Sequence, residues 1–297
     1  MPAADIARLL VLAALWGGSF TFMRFAVPAM GPLWLAASRV SLAFLALFAY
    51  ALLRGKVPAV RTHWRDFLMI GVVNSALPFA LFCFAEQYVG GSTAAVLNAT
   101  SPFFATIVAA LWLREPITAA KVAGMLLGLG GVGTLVGWQP APLTGNVALA
   151  VVACLAAALC YGIASVYAKA RMAGVPSFAT ALYSQLAAAL VLAPALPLVP
   201  LPSDVSPQVA ANVVALALAS TAIAYLLYFR LIANIGPARA LTVTFLIPLF
   251  GVLWGWAFLG ETIGAGMLAG CALILLGTWL ALRPGRRPMA DRVAARA

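Results

Sequence analysis

The sequence predicts an all-α integral membrane protein of ten transmembrane helices, arranged as two inverted five-helix repeats with both termini in the cytoplasm. Three observations carry that prediction. Of 297 residues, 65% are hydrophobic and only 8% charged, with a mean hydropathy of +1.06, well beyond a soluble domain. Apolar runs of about 20 residues, one helical bilayer crossing each, recur along the whole chain with short connections. Landmarks of the first half recur in the second at a shift of 146 residues.

Windows of about 19 residues place the spans near 5–26, 33–53, 67–88, 92–113, 119–137, 146–169, 177–199, 209–232, 238–259 and 263–282. The first has full span length and lacks a small-residue cleavage site followed by a polar mature protein, so it is read as a retained helix rather than a signal peptide. Trp16, Gly17 and Gly18 fall at its middle, followed by Ser19 and Phe20, with Arg24 near its outer end. The second carries Arg39 about two turns inside its outer end, where an unpaired charge is expensive. Glu86 and Glu261 lie on the same side, so a structural ion pair is expected, with an outer gate as the sharper alternative. The third has Asn74 and Pro78 near its middle, then Phe79 and Phe82; the fourth has Asn98, Ser101 and Pro102. The fifth contains Gly124/Gly128 and Gly133/Gly137, whose GxxxG spacing allows close helix approach. Tyr161 and Gly162 lie a little inside the midpoint of the sixth, which ends on Lys169. The seventh rests on apolar length alone. Ser220, Thr221 and Tyr225 are central in the eighth, as are Thr244 and Pro248 in the ninth. Gly251/Gly255 in the ninth and Gly266/Gly270 in the tenth repeat the GxxxG spacing, again assigned to packing within the fold.

Orientation follows from the cations. With the N-terminus inside, sixteen of the eighteen Lys and Arg residues fall on the cytoplasmic side, among them Arg8, Arg61, Arg114, Arg171, Arg239 and the Arg-rich tail, while the outer loops "GWQPAPLTGN" and "PLVPLPSDVSPQ" have none. The net charge of +11 is therefore topological and implies no nucleic acid. Cys83, Cys154, Cys160 and Cys271 lie in apolar runs without CxxC spacing, so no disulfide framework, metal site or cofactor is indicated. His63 sits in a basic cytoplasmic loop, in a solvated or interfacial setting. Trp34, Trp64, Trp138 and Trp279 fall near interfaces and read as aromatic-belt anchors.

The shift of 146 aligns "SPFFATIVAALWLREPI" with "IPLFGVLWGWAFLGETI", pairing Pro102 with Pro248 and Glu115 with Glu261, and Gly90, Gly124 and Gly131 with Gly236, Gly270 and Gly277. A shift of 145 sets "LWGGSFTFMR" on "CYGIASVYAK", so Trp16 meets Tyr161 and Arg24 meets Lys169. Five spans per copy is odd, which inverts the second copy; inverted repeats are a signature of secondary transporters. The expected organisation is a first repeat over 1–140, a second over 141–285 and a basic cytoplasmic tail over 286–297.

The "LWGGSF" of helix 1, the run "PFFATIVAALWLREPITAAKVAGMLLGLGGVG" and its echo "PLFGVLWGWAFLGETIGAGMLAGCALILLG" resemble the EamA-type branch of the drug/metabolite transporter superfamily, over essentially the whole chain. Within it, the length and aromatic content are most similar to YddG-type exporters of aromatic amino acids and related metabolites. The resemblance implies a central substrate cavity walled mainly by helices 1, 3, 4, 6, 8 and 9.

On those helices Trp16, Phe20, Phe79, Phe82, Tyr161, Tyr225, Tyr228 and Trp254 supply aromatic surface. Ser19, Asn98, Ser101 and Thr244 supply polar handles, the makeup of a small-molecule pocket. Pro78, Pro102 and Pro248 are expected as mid-membrane kinks with a hinge role, since such prolines face protein or a cavity rather than lipid. Arg24 and Lys169 are expected as snorkelling anchors, with a gate or substrate-carboxylate contact as the alternative. No acidic residue lies at mid-membrane, which argues against a cation site and favours neutral or zwitterionic substrates. Glu115 and Glu261 fall at opposite faces, each expected to favour the N–H groups of the helix that follows it.

The leading expectation is a monomeric exporter of amino acids or similar metabolites in the cytoplasmic membrane, with a small-molecule substrate and membrane lipid as its partners. A flippase for lipids or lipid-linked sugars is the nearest rival. An intramembrane enzyme lacks HExxH, GxSxG and paired mid-membrane carboxylates, and a channel would want a polar stripe at full depth.

Overall fold

The computed structural model describes residues 2–59, 63–137, 144–235, 243–244 and 246–282, and every regular element among them is helical. In chain order these are α1 (Ala3–Met30), α2 (Pro32–Leu53), α3 (Trp64–Gly71), α4 (Leu77–Ala85), α5 (Gly91–Asn98), α6 (Ser101–Leu113), α7 (Ala119–Gly137), α8 (Gly145–Arg171), α9 (Ser177–Leu192), α10 (Pro207–Ala217), α11 (Ala224–Ile235), α12 (Ile247–Leu259) and α13 (Ala265–Leu282). Among the described residues, seven helical stretches are long and apolar enough to cross a membrane: Ala3–Met30, Pro32–Leu53, Trp64–Ala85, Gly91–Leu113, Gly145–Arg171, Ser177–Leu198 and Pro207–Tyr228. Ala119–Leu135, Ile247–Leu259 and Ala265–Leu280 are apolar but shorter. The chain is a multi-pass membrane protein.

Several elements differ from expectation. The first helix runs to Met30, past its predicted end, and reverses at Gly31, whose φ of 70° suits a residue without Cβ before Pro32 opens α2. The fourth span is broken between Asn98 and Ser101. There the Thr100 and Ser101 hydroxyls donate back to the carbonyls of Leu97 and Asn98, both at 2.7 Å, and Thr278 Oγ1 donates to the Ala99 carbonyl at 3.1 Å. Pro102 and Pro248 are not mid-helix kinks. Each stands in the first turn of its helix, α6 or α12, where a missing N–H costs nothing, whereas Pro78 lies inside the continuous helix Trp64–Ala85, directly after its π turn. Trp138, Arg61, Arg239, Gly236, the start of the predicted ninth span and the tail 286–297 lie outside the described residues.

The third and eighth spans each contain one π turn, Val72–Ala76 between α3 and α4 and Leu218–Ile223 between α10 and α11. They begin 146 residues apart, the shift that aligns the two halves. Helix ends repeat too. Arg114 closes α6 at φ 55° and Gly260 closes α12 at φ 66°, followed by backbone bonds from Glu115 N–H to the Ala109 carbonyl and from Glu261 N–H to the Gly255 carbonyl.

Packing follows the same rule. α7 lies along α13 through glycines: a Cβ on Gly131 would stand 2.8 Å from the Gly270 carbonyl oxygen, and one on Gly277 2.5 Å from that of Gly124. Gly133, expected to pack closely within the fold, faces open space. Helix period explains the difference: Gly124, Gly128 and Gly131 fall on one face of α7, and Gly133 is rotated off it. Likewise Gly17 of α1 backs onto Phe250 and Gly251 of α12, while Gly162 of α8 backs onto Phe104 and Ala105 of α6. These close approaches hold α1 and α8 against the two short helices, so the aromatic positions beside the glycines face the middle of the molecule.

Candidate functional site

Trp16 on α1 meets Tyr228 of α11 at 5.3 Å between ring centroids and Tyr225 at 6.5 Å. On the other side Tyr161 of α8 lies 6.2 Å from Phe82 of α4, nearly parallel, and Phe82 meets Phe20 edge-on at 5.3 Å. Tyr161 is the counterpart of Trp16 at a shift of 145, and Tyr228 that of Phe82 at 146. The two aromatic pairs are therefore equivalent contacts of the two halves. Phe79 and Tyr225 are also counterparts at 146. Trp16, Phe20, Phe82, Tyr161, Tyr225 and Tyr228, drawn from the four helices α1, α4, α8 and α11, form the aromatic cluster, with Phe79 beside it on α4.

The π turns carry a set of polar side chains, Asn74 and Ser75 in the first and Ser220 and Thr221 in the second. An inserted residue re-aims the side chains of its turn and loosens the ordinary i to i−4 ladder, and the hydroxyls here take up what it frees: Thr221 Oγ1 donates to the Leu216 carbonyl at 3.2 Å. Ser220 Oγ donates to the Leu15 carbonyl at 2.7 Å, tying this turn to α1 beside Trp16. Asn74 Nδ2 donates to the Tyr225 hydroxyl at 3.4 Å, joining the first π turn to the start of α11 just beyond the second.

Arg39 reaches these polar groups from α2. Its Nε donates to Thr221 Oγ1 at 3.1 Å, its Nη1 to Met23 Sδ at 3.4 Å, and its guanidinium carbon stands 3.7 Å from the centre of the Phe79 ring. The expected ion pair with Glu86 or Glu261 does not form among the described residues. A hydroxyl, a thioether and a ring face satisfy the cation instead. Sequence reasoning missed Gln185 of α9, fully buried, whose Nε2 donates to Ser75 Oγ at 3.0 Å. The signal was present: at the shift of 146, Gln185 falls on Arg39 and Thr221 on Ser75.

The remaining predicted handles are more local. Ser19 Oγ donates to the Trp16 carbonyl at 2.6 Å, and Ser101 Oγ caps the Asn98 carbonyl as described. Asn98 and Thr244 are partly buried counterparts at the shift of 146. A crevice of about 400 Å³ opens elsewhere, lined by Met30, Trp34, Ser38, Ser41 and Val213 among others, and none of the predicted substrate residues lines it.

Beyond the cluster lie two charged assemblies. Arg24 donates to the backbone carbonyl of Glu86 rather than snorkelling free; Glu86 itself is fully buried, and neither of its carboxylate oxygens has a hydrogen-bond partner among the described residues. Glu261 does not serve the helix that follows it. Its two oxygens accept the N–H groups of Gly91 at 2.7 Å and Ser92 at 2.9 Å, at the start of α5 in the other half. That start lacks a side-chain cap of its own, so a carboxylate from α12's end takes the place. Glu115 likewise leaves the first N–H groups of α7: its Oε1 accepts from Lys169 Nζ at 2.7 Å, and the Lys121 ammonium of α7 stands 3.9 Å from Oε2. The Lys169 ammonium holds the Glu115 carboxyl below the usual carboxylate range. Thr118 Oγ1 caps α7 instead. No cluster of potential metal ligands occurs among the described residues.

The model of the EamA-like transporter family matches this chain twice, over residues 6–137 and 148–283. An uncharacterised transporter of Archaeoglobus fulgidus is 27% identical, covering 90% of this chain and 95% of its own. A probable terminal-alkyne amino-acid exporter of Streptantibioticus cattleyicolor is 28% identical, covering 94% of each chain. The S-adenosylmethionine/S-adenosylhomocysteine transporter of Chlamydia trachomatis is 26% identical, covering 93% and 89%. A solved crystal structure superposes with a TM-score of 0.68 over 99% of both chains at 21% identity, a likeness of fold.

Proposed function

We propose that this chain, which belongs to the EamA-like transporter family, is a secondary transporter exporting amino acids, aromatic or otherwise apolar and zwitterionic, across the cytoplasmic membrane by alternating access. The family and the named relatives are transporters of small molecules, not enzymes.

The observation that carries the proposal is the doubled wall of the aromatic cluster. Trp16 with Tyr228 repeats as Tyr161 with Phe82, and between them run two equivalent polar contacts, Arg39 to Thr221 and Gln185 to Ser75. Two near-equivalent half-sites support alternation, because exchanging the conformations of the two halves turns an opening on one face into an opening on the other. Rings with a few polar groups suit a small substrate with an apolar body and a polar end. Two relatives are named for cargo that carries an α-amino-acid group, which supports the same class here.

In this proposal the repeats are 1–140 and 141–285, each of five spans and mutually inverted, with both termini and the tail 286–297 in the cytoplasm, where sixteen of the eighteen cations lie. Within the family the substrate class is that of the YddG-type exporters, and the working unit is a monomer. The test is exchange of labelled amino acids by purified protein in liposomes. Saturable exchange of phenylalanine, tryptophan or leucine is expected. Flux that does not saturate would point to a channel, and no exchange across an amino-acid panel, with movement of a lipid probe instead, would point to a flippase.

A further inference from the structure

Arg39 and Gln185 occupy equivalent positions, and each donates to the equivalent hydroxyl of the opposite half, at 3.1 and 3.0 Å. The Arg39 guanidinium also covers Phe79, whose counterpart at the shift of 146 is Tyr225. The structural task at this position is thus performed in one half by a neutral amide. A guanidinium performs it in the other, although burying a cation costs far more than burying an amide. Packing and hydrogen bonding do not require the charge.

The cation is also held by replaceable partners. Thr221 is neutral, and the contact from Nη1 goes to a thioether sulfur, a weak acceptor that an oxygen anion would displace. Arg39's partner Thr221 stands one helical turn before Tyr225, and Phe79, under the guanidinium, one turn before Phe82, so the cation adjoins two rings of the aromatic cluster. Resting on the proposed amino-acid export, we infer that Arg39 is the subsite for the substrate's carboxylate, with the apolar side chain of the substrate lying among Trp16, Phe82, Tyr161 and Tyr225. A planar guanidinium offers a fork of N–H groups that matches a carboxylate. The asymmetry between Arg39 and Gln185 then sets substrate polarity: one end of the site takes an anion and the equivalent end does not.

The competing explanation is that Arg39 exists to neutralise buried Glu86. The two are separated by Arg39→Gln, Arg39→Lys, Glu86→Gln and the double variant Arg39→Gln/Glu86→Gln, all in liposomes loaded with labelled phenylalanine. The measured quantity is inhibition of exchange by unlabelled phenylalanine against phenylalaninamide, which lacks the carboxylate. The wild type and Arg39→Lys are expected to prefer phenylalanine by about tenfold or more, as a charge-assisted hydrogen bond warrants. Arg39→Gln is expected to fold, as Gln185 does in the equivalent slot, and to bring the preference to within about twofold. The double variant should behave like Arg39→Gln. An undiminished preference in Arg39→Gln, its failure to fold, or recovery of preference in the double variant would each overturn the assignment while leaving amino-acid export standing. Wild-type protein that exchanges no carboxylate-bearing substrate would overturn both.

Discussion

Arg39 and Gln185, 146 residues apart, make the same hydrogen bond to opposite halves of the molecule: one to Thr221 Oγ1, the other to Ser75 Oγ. Both acceptors sit in π turns, so the pairs fasten the turn of the third span to the seventh and that of the eighth to the second. Removing either acceptor leaves a buried donor, but the donors differ in charge. Thr221→Val should cost about 1.5–3 kcal/mol and Ser75→Ala about 1 kcal/mol, since bonds to charged groups are the stronger. Thermal unfolding in detergent measures both, and a larger loss for Ser75→Ala would contradict the equivalence argued here.

Glu261 crosses from the end of α12 to the first N–H groups of α5, and two glycines make room for it. A Cβ on Gly90 would stand 2.6 Å from Glu261 Oε1, and one on Gly255 2.1 Å from Ser92 Oγ. Glu261→Gln and Gly255→Ala should each speed hydrogen exchange at Gly91 and Ser92, by about tenfold, because local opening then exposes uncapped amides. Unchanged exchange in both would mean that the carboxylate does not hold this helix start.

Glu115 presents the opposite case. Its Lys169 partner is largely exposed, so the pair is screened by water and salt, and Glu115→Gln should change stability by less than about 1 kcal/mol. The sign with pH is fixed by the lowered value. A carboxyl whose folded-state pKa lies below its ordinary 4.5 contributes stability above that value and loses it as pH falls through the folded pKa. A melting-temperature difference between wild type and Glu115→Gln should therefore shrink on acidification below about pH 4.5; one that grows would reverse the assignment.

The α7–α13 seam separates glycines by what surrounds them. Gly277→Ala meets backbone of Gly124 and Gly128 within 2.8 Å, which cannot yield without parting the helices, whereas Gly130→Ala enters open space. The first should destabilise by about 1–3 kcal/mol and the second should be neutral or stabilising by up to about 1 kcal/mol. Equal melting temperatures for the two variants would show that the seam is not closely packed.

Trp16→Ala and Tyr161→Ala remove counterpart rings from the two aromatic pairs. Each should lower the rate of amino-acid exchange in liposomes by about tenfold or more while expression persists, consistent with the surface a large aromatic ring contributes to a pocket. Wild-type exchange by both would place the substrate elsewhere.

Much of this organisation was legible in the residues. Hydropathy found the apolar spans, because a bilayer demands unbroken apolar length. The shift of 146 found the duplication, and it already paired Pro102 with Pro248 and Glu115 with Glu261. It could not tell that these prolines start helices, because a proline tolerated at N1 and a proline kinking a helix look alike in a string. Nor could it assign partners. The nearest acids along the second span's outer side made an ion pair the economical expectation for Arg39, and Glu115 and Glu261 pointed to their own following helices.

By itself, the sequence determined that this chain lives in a membrane and that it is built twice from one pattern. Only the tertiary structure decided who meets whom: that Arg39 binds Thr221 and not a carboxylate, that Gln185 is its counterpart in the same bond, and that Glu261 caps a helix 170 residues away. The physical reason is that burial and periodicity are one-dimensional demands, written into each segment by the solvent it must face. Partner choice depends on how segments cross, and those crossings are set by close glycine approaches and π turns that re-aim side chains by a fraction of a helical turn.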